Sequence, residues 1–200
     1  MEDRYRTVEG VAEGLYKEKG SRFISYIYPV ATEDEIKEIL AGIKTTYFDA
    51  RHRCYAWMLG ADKKNFRSND DGEPSSTAGK PILGQILSHD LTHVLIVVIR
   101  YFGGTKLGVS GLIQAYREAA FDAIAHASIV ERTVNETLQI TFNYTVMNDV
   151  MKVLKEEEPD ILDRDFEMAC RMTLRVRQKD MPRLRERLLK IASVCVSPCS

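Results

Sequence analysis

Four glycines fall within nine residues, at Gly103, Gly104, Gly108 and Gly111, enclosing Lys106 and following closely on Arg100. Glycine permits backbone angles that a Cβ resists, so such a loop can bring its N–H groups close to a ligand. From Leu112 the apolar residues Tyr116, Ala119, Ala120 and Ala123 recur at helical spacing, which places the loop at the start of a helix beginning near Ser110. Helix N-termini attract anions and Lys106 adds a point charge, so the pattern predicts a phosphate ligand. The spacing is not that of a P-loop, which needs two glycines around four residues followed by Lys and Ser or Thr, and nucleotide hydrolysis of that type is not expected. The competing reading is a tight strand-to-helix crossover that needs glycine only for close packing.

A second chemical cluster is Asp70-Asp-Gly-Glu-Pro74, followed by Ser75, Ser76 and Thr77. Its acid density suits Mg²⁺ or Ca²⁺, but Pro74 and Ser75 break the ligand series and no closing glutamate follows, so neither a metal nor a cofactor is expected. The acids are better suited to orienting Arg51, Arg100 or Lys106, or to capping turns, with the hydroxyls facing the same anion. His52 has the chemistry of a general base, yet no nucleophile is paired with it in sequence. A Ser-His-Asp set drawn from Ser75 or Ser76, His52 and Asp71 lacks a nucleophile elbow. No catalytic residue and no reaction are therefore assigned. The candidate ligand-binding set, for phosphate or RNA, is Arg51, His52, Asp71, Glu73, Thr77, Arg100, Gly103, Gly104, Lys106 and Gly108.

Three segments carry a family resemblance: Val94 to Gly111, Ser68 to Leu83 and, more weakly, Ala50 to Trp57. In this order they resemble the YigZ/IMPACT family, over roughly the first two thirds of the chain. The resemblance implies a ribosomal-protein S5 domain 2-like first domain, and the last third looks like the smaller domain appended in bacterial members. Many members carry glycine where Ser76 stands, which is the one visible departure. The two domains are similar to domains IV and V of elongation factor G, modules that contact RNA on the ribosome. Eukaryotic relatives regulate translation through an additional N-terminal module, and this chain is expected to begin almost directly with the family domain. That partner-based control is therefore not carried over.

The elements that position these residues follow from periodicity. Tyr5 to Val30 reads as two strands around Lys17 to Ser21, and Thr32 to Glu35 as a capping box opening a helix to about Tyr47. Cys54 to Leu59 reads as a strand, Asp62 to Lys80 as a long polar loop, and Pro81 to about Ser88 as a helix. Six consecutive aliphatics, Val94 to Ile99, predict a strand buried on both faces. Residues 128 to 136 are the expected linker between a domain over 1–130 and another over 136–200. The second shows the order βαββαβ of a ferredoxin-like unit, so the fold class is α+β. It has a strand carrying Leu138, Ile140, Phe142 and Tyr144 on one face, a helix from Met147 to Glu157, a strand pair over Ile161 to Val176, a helix from Met181 to Ile191 and a last strand to Val196.

Charge is nearly balanced, at −1 overall, with 17 basic and 18 acidic side chains in residues 1 to 133 and 11 of each thereafter, so global charge does not argue for nucleic acid. Locally, Arg171, Arg175 and Arg177 share one strand face with Thr173. The expected partners are the alternating Asp163, Asp165 and Glu167, because the aromatic platform of an RNA-recognition sheet is missing there. Cys54, Cys170, Cys195 and Cys199 lack zinc-like doublets and are read as reduced thiols. No apolar run reaches the ~20 residues of a spanning helix and no signal-peptide core is present, so a cytoplasmic protein without membrane partners is expected.

Three functions compete on this reading. The first is a translation-linked RNA- or ribosome-binding protein, the second an enzyme or sensor for a phosphorylated small ligand at the glycine loop, and the third a protein-interaction adaptor. A closed pocket joining Arg51, Glu73, Thr77, Arg100 and Lys106 would favour a ligand, and a basic stripe would favour RNA.

Overall fold

The computed structural model describes residues 3–166 and 169–198, so Glu167 and Cys199 lie outside the described residues. The chain divides into two compact units, one from Tyr5 to Arg132, the other from Thr133 onward together with the start of the chain up to Arg4. Both are mixed α and β.

The first unit contains β1 (Arg4–Val8), β2 (Ala12–Glu18), β3 (Ser21–Pro29), α1 (Glu33–Thr46), β4 (His52–Leu59), β5 (Asn65–Asn69), α2 (Gly79–Ser88), β6 (Val94–Tyr101), α3 (Gly108–His126) and β7 (Ile129–Thr133). Five of its strands form an antiparallel sheet in the order β2-β3-β6-β4-β5, while β1 pairs with β7. The all-aliphatic β6 lies at its centre. Val94, Ile96 and Val98 pack in one core with α2 and α3, while Leu95, Val97 and Ile99 pack in another with α1. A strand that is apolar on both faces thus arises in an antiparallel sheet because helices cover both sides.

Helix α1 begins as its capping box predicts: Glu35 N–H donates to Thr32 Oγ1 at 3.2 Å, and the Glu35 carboxylate accepts from Ala31 N–H at 2.7 Å. Three other expectations need correction. The opening segment is three strands, because β1 leaves the main sheet and pairs with β7. The polar loop contains the edge strand β5, whose Asn-Phe-Arg-Ser-Asn carries no apolar alternation and is held by its backbone ladder to β4. Residues 128–136 contain the break between the two units, after Arg132, but are mostly strand, β7 and the beginning of β8, rather than irregular chain.

The second unit runs β8 (Asn135–Phe142), α4 (Met147–Glu157), β9 (Asp160–Asp165), β10 (Cys170–Arg177), α5 (Met181–Leu189) and β11 (Cys195–Pro198). Its antiparallel sheet has the order β11-β8-β10-β9. Leu138, Ile140, Phe142, Met172 and Leu174 pack against Val150, Leu154, Leu184 and Leu188 of the two helices. Tyr144 does not continue the apolar face of β8; it lies in a short 3₁₀ turn, 78% exposed. On the opposite face Arg175 pairs with Asp160 at 3.0 Å and Arg177 with Asp3 at 2.6 Å. Asp165 lies opposite Arg171 and Asp163 opposite Thr173, and the register shift that follows, between Thr173 and Leu174, passes over Leu162 and sets Asp160 opposite Arg175. Burial would raise the Asp3 carboxyl, but the hydrogen bond and charge of Arg177 outweigh it and hold the group below its ordinary value. Among the described residues no helix is long and apolar enough to cross a membrane.

Candidate functional site

Strand β6 delivers Arg100 and the chain then turns through Phe102–Leu107 into α3. Gly103 is there for packing: a Cβ on it would stand 1.9 Å from the carbonyl carbon of Gly20, and its N–H donates to Ser21 Oγ at 3.1 Å. What this glycine lets the backbone approach is the β2–β3 turn of the same chain. Gly104 and Gly108 differ, since open space surrounds both and their φ angles of +88° and +72° are the reason for glycine. Helix α3 starts at Gly108, earlier than Ser110, with no side-chain cap and no acidic residue in its first turn. Its leading N–H groups are thus left for solvent or a ligand.

The facing wall is the loop between β5 and α2, built around Asp70. One carboxylate oxygen accepts from Ser76 N–H at 2.8 Å, the other from Ala78 and Gly79 N–H at 3.1 and 2.8 Å, so Asp70 caps α2 from eight or more residues away. Thr77 is buried and donates to the Pro74 carbonyl at 2.6 Å. Asp71 accepts from Arg53 N–H at 2.7 Å, while its carbonyl lies 2.8 Å from His52 Nδ1. Asp70, Asp71 and Thr77 therefore shape the loop. Ser76 adopts φ +65°, a left-handed conformation that glycine takes without strain.

Glu73 alone turns inward. It accepts from Arg100 Nη1 at 2.6 Å and from the Tyr116 hydroxyl at 2.7 Å. Tyr116 also takes the Cys54 thiol at 3.4 Å. Burial pushes both Tyr116 and Cys54 far above their ordinary values, so both stay protonated and Cys54 has no thiolate character. The Arg100 guanidinium lies between the rings of Phe23 and Phe102, at 5.5 and 5.7 Å from their centroids. Its Nε is buried and has no acceptor among the described residues.

Between the walls opens a cavity of about 470 Å³. Arg51, His52, Glu73, Arg100, Lys106 and Gly108 line it, whereas Asp71, Thr77, Gly103 and Gly104 do not. Glu73 and Lys106 therefore face one space. Because Glu73 neutralises Arg100, the positive charge at the mouth comes from the exposed Arg51 and Lys106, which have no acidic partner among the described residues. Phe102, Val109 and Leu112 make an apolar side that the glycine pattern does not disclose, although Phe102 stands in the same motif. Tyr116 was legible only as a core residue at helical spacing. Among the described residues no three His, Cys, Asp or Glu side chains cluster as a metal site requires.

The Impact N-terminal domain family matches residues 19–124, which include every lining residue of this cavity. The IMPACT family member YvyE of Bacillus subtilis is 36% identical over 154 residues, covering 77% of this chain and 71% of that protein. YigZ of Escherichia coli is 30% identical over 151 residues, with 74% of each chain covered. A crystal structure of a hypothetical protein is similar in fold across the whole chain and 99% of its own, with a TM-score of 0.74 at 23% identity. With the domain matched over more than half of its length and such relatives aligned along most of theirs, the chain belongs to the IMPACT family.

Proposed function

We propose that this protein is a translation-linked RNA- or ribosome-binding protein, whose cavity at the start of α3 receives a phosphate of the RNA. The observation that carries this is the convergence of an uncapped helix N-terminus with exposed Lys106 and Arg51 on one cavity. Family membership supports the link to translation, through the similarity of such proteins to domains IV and V of elongation factor G. On this reading the first unit is a ribosomal-protein S5 domain 2-like domain and the second a ferredoxin-like one. The strand order β11-β8-β10-β9, with α4 and α5 packed on one sheet face, supports the latter assignment.

The test is sedimentation of the full chain with purified ribosomes across a salt series, for wild type and Lys106→Ala. Association should weaken steeply with salt, as counterion release requires. Lys106→Ala should lose roughly 1.5–3 kcal/mol of binding, the worth of one charge-assisted hydrogen bond, with an unchanged melting temperature. Absence of association at every salt concentration would reject the reading. A second reading, an enzyme or sensor for a phosphorylated small ligand, draws on the size of the cavity and requires a shallow salt dependence instead.

A further inference from the structure

We infer that the cavity is a receptor for a single unpaired nucleotide, with the phosphate on the first turn of α3 beside Lys106 and the base against the ring of Phe102. This rests on the RNA reading above and narrows it. The cavity must take a ligand that is anionic at one end and flat and apolar at the other.

The anionic end follows from the helix terminus and from Arg100. Helix α3 is 19 residues long, and its first turn has neither a capping side chain nor an acidic residue. The Arg100 side chain is only 8% exposed and lines the cavity; Glu73 engages its Nη1, and among the described residues Nε has no acceptor. A buried guanidinium N–H without a partner is costly, and a small shift of the side chain toward the cavity would let a ligand oxygen supply one. Lys106 and Arg51 add charge at the rim, where solvent still reaches them.

The flat end follows from Phe102. The residue is 54% exposed although it follows a buried strand, and its ring lies over the Arg100 guanidinium. Val109, 61% exposed, and Leu112 continue the same apolar wall. An aromatic ring beside fixed positive charge is the arrangement on which unpaired bases stack while their phosphates are held. A volume of about 470 Å³ falls in the range of about 300–1,000 Å³ usual for small-molecule sites. That is room for one nucleotide and not for a duplex, whose bases are stacked and paired inside.

The test measures binding of the full chain to four probes: a single-stranded RNA octamer, its blunt duplex, AMP, and ribose 5-phosphate. The octamer should bind at least about 10-fold tighter than the duplex. Phe102→Leu should weaken the octamer by roughly 5- to 100-fold, the worth of one base–aromatic stack, and leave ribose 5-phosphate unchanged. Phe102→Tyr, which keeps the ring, should restore the octamer affinity, and melting curves of both variants guard against misfolding. Tighter binding of the octamer than of AMP places the site on RNA. AMP as tight as the octamer makes the free nucleotide the ligand, and either supports the receptor. Equal affinity for octamer and duplex, or an octamer affinity indifferent to Phe102→Leu, overturns the inference while the ribosome association tested above still stands. If ribosomes, RNA and AMP all fail to bind, both readings fall.

Discussion

Arg100 Nη1 and Glu73 Oε1 stand 2.6 Å apart, with side chains 8% and 3% exposed, so a buried ion pair ties the end of β6 to the loop ahead of α2. Both walls of the cavity depend on it. Tyr116 reaches the same carboxylate oxygen from the third turn of α3, which brings three segments distant in sequence to one group.

Removing one partner leaves a buried charge without compensation. Glu73→Ala should destabilise the protein by about 3–5 kcal/mol in urea unfolding, whereas the double variant Glu73→Leu/Arg100→Met should recover most of the loss. A single variant no less stable than the double would show that the pair contributes no such constraint.

Tyr116→Phe removes a hydroxyl that donates to Glu73 and accepts from Cys54. The expected cost is about 1–3 kcal/mol, because a buried carboxylate loses a donor. Combined with Glu73→Gln the effects should be non-additive in a double-mutant cycle, since both changes act on one hydrogen bond.

The glycines of the loop should separate by mechanism. Gly103→Ala forces a Cβ into the Gly20 backbone and should cost at least the 1–3 kcal/mol, roughly, of an overpacked core. Gly104→Ala meets only left-handed strain, about 1–2 kcal/mol, with open space around the new methyl. Melting temperatures of the two variants, measured without ligand, should fall in that order.

His93 is half-buried against the Tyr5 ring, 4.9 Å between centroids, and burial lowers it from its ordinary value of 6.5. Below pH 6.5 the unfolded chain therefore binds a proton that the folded chain resists. The contribution is whole above that pH and is lost progressively as the pH falls from 6.5 to the lower folded value. A pH series of urea midpoints should show this decline for the wild type and a flatter profile for His93→Asn, a replacement that tolerates the φ of +55° at this position.

Local chemistry in the chain was enough for much of this protein. The capping box at Thr32, the double-sided apolar run of β6 and the alternation of β8 and β10 each depend on neighbours within a few residues, and each forms the element its pattern encodes. The family is legible for the same reason, since its signature lies in contiguous segments. Strand β5 was not, because an edge strand held by backbone bonds needs no apolar period. The division of labour among the site residues was hidden too. Asp70, Asp71 and Glu73 are alike in sequence, yet one caps a helix, one holds Arg53 and one neutralises Arg100. Gly103 and Gly104 are adjacent and serve different ends. Those roles depend on which distant segment each residue meets, and burial fixes that only when helices close over both faces of the sheet. Periodicity reports the face a residue occupies; only the assembled core decides what faces it.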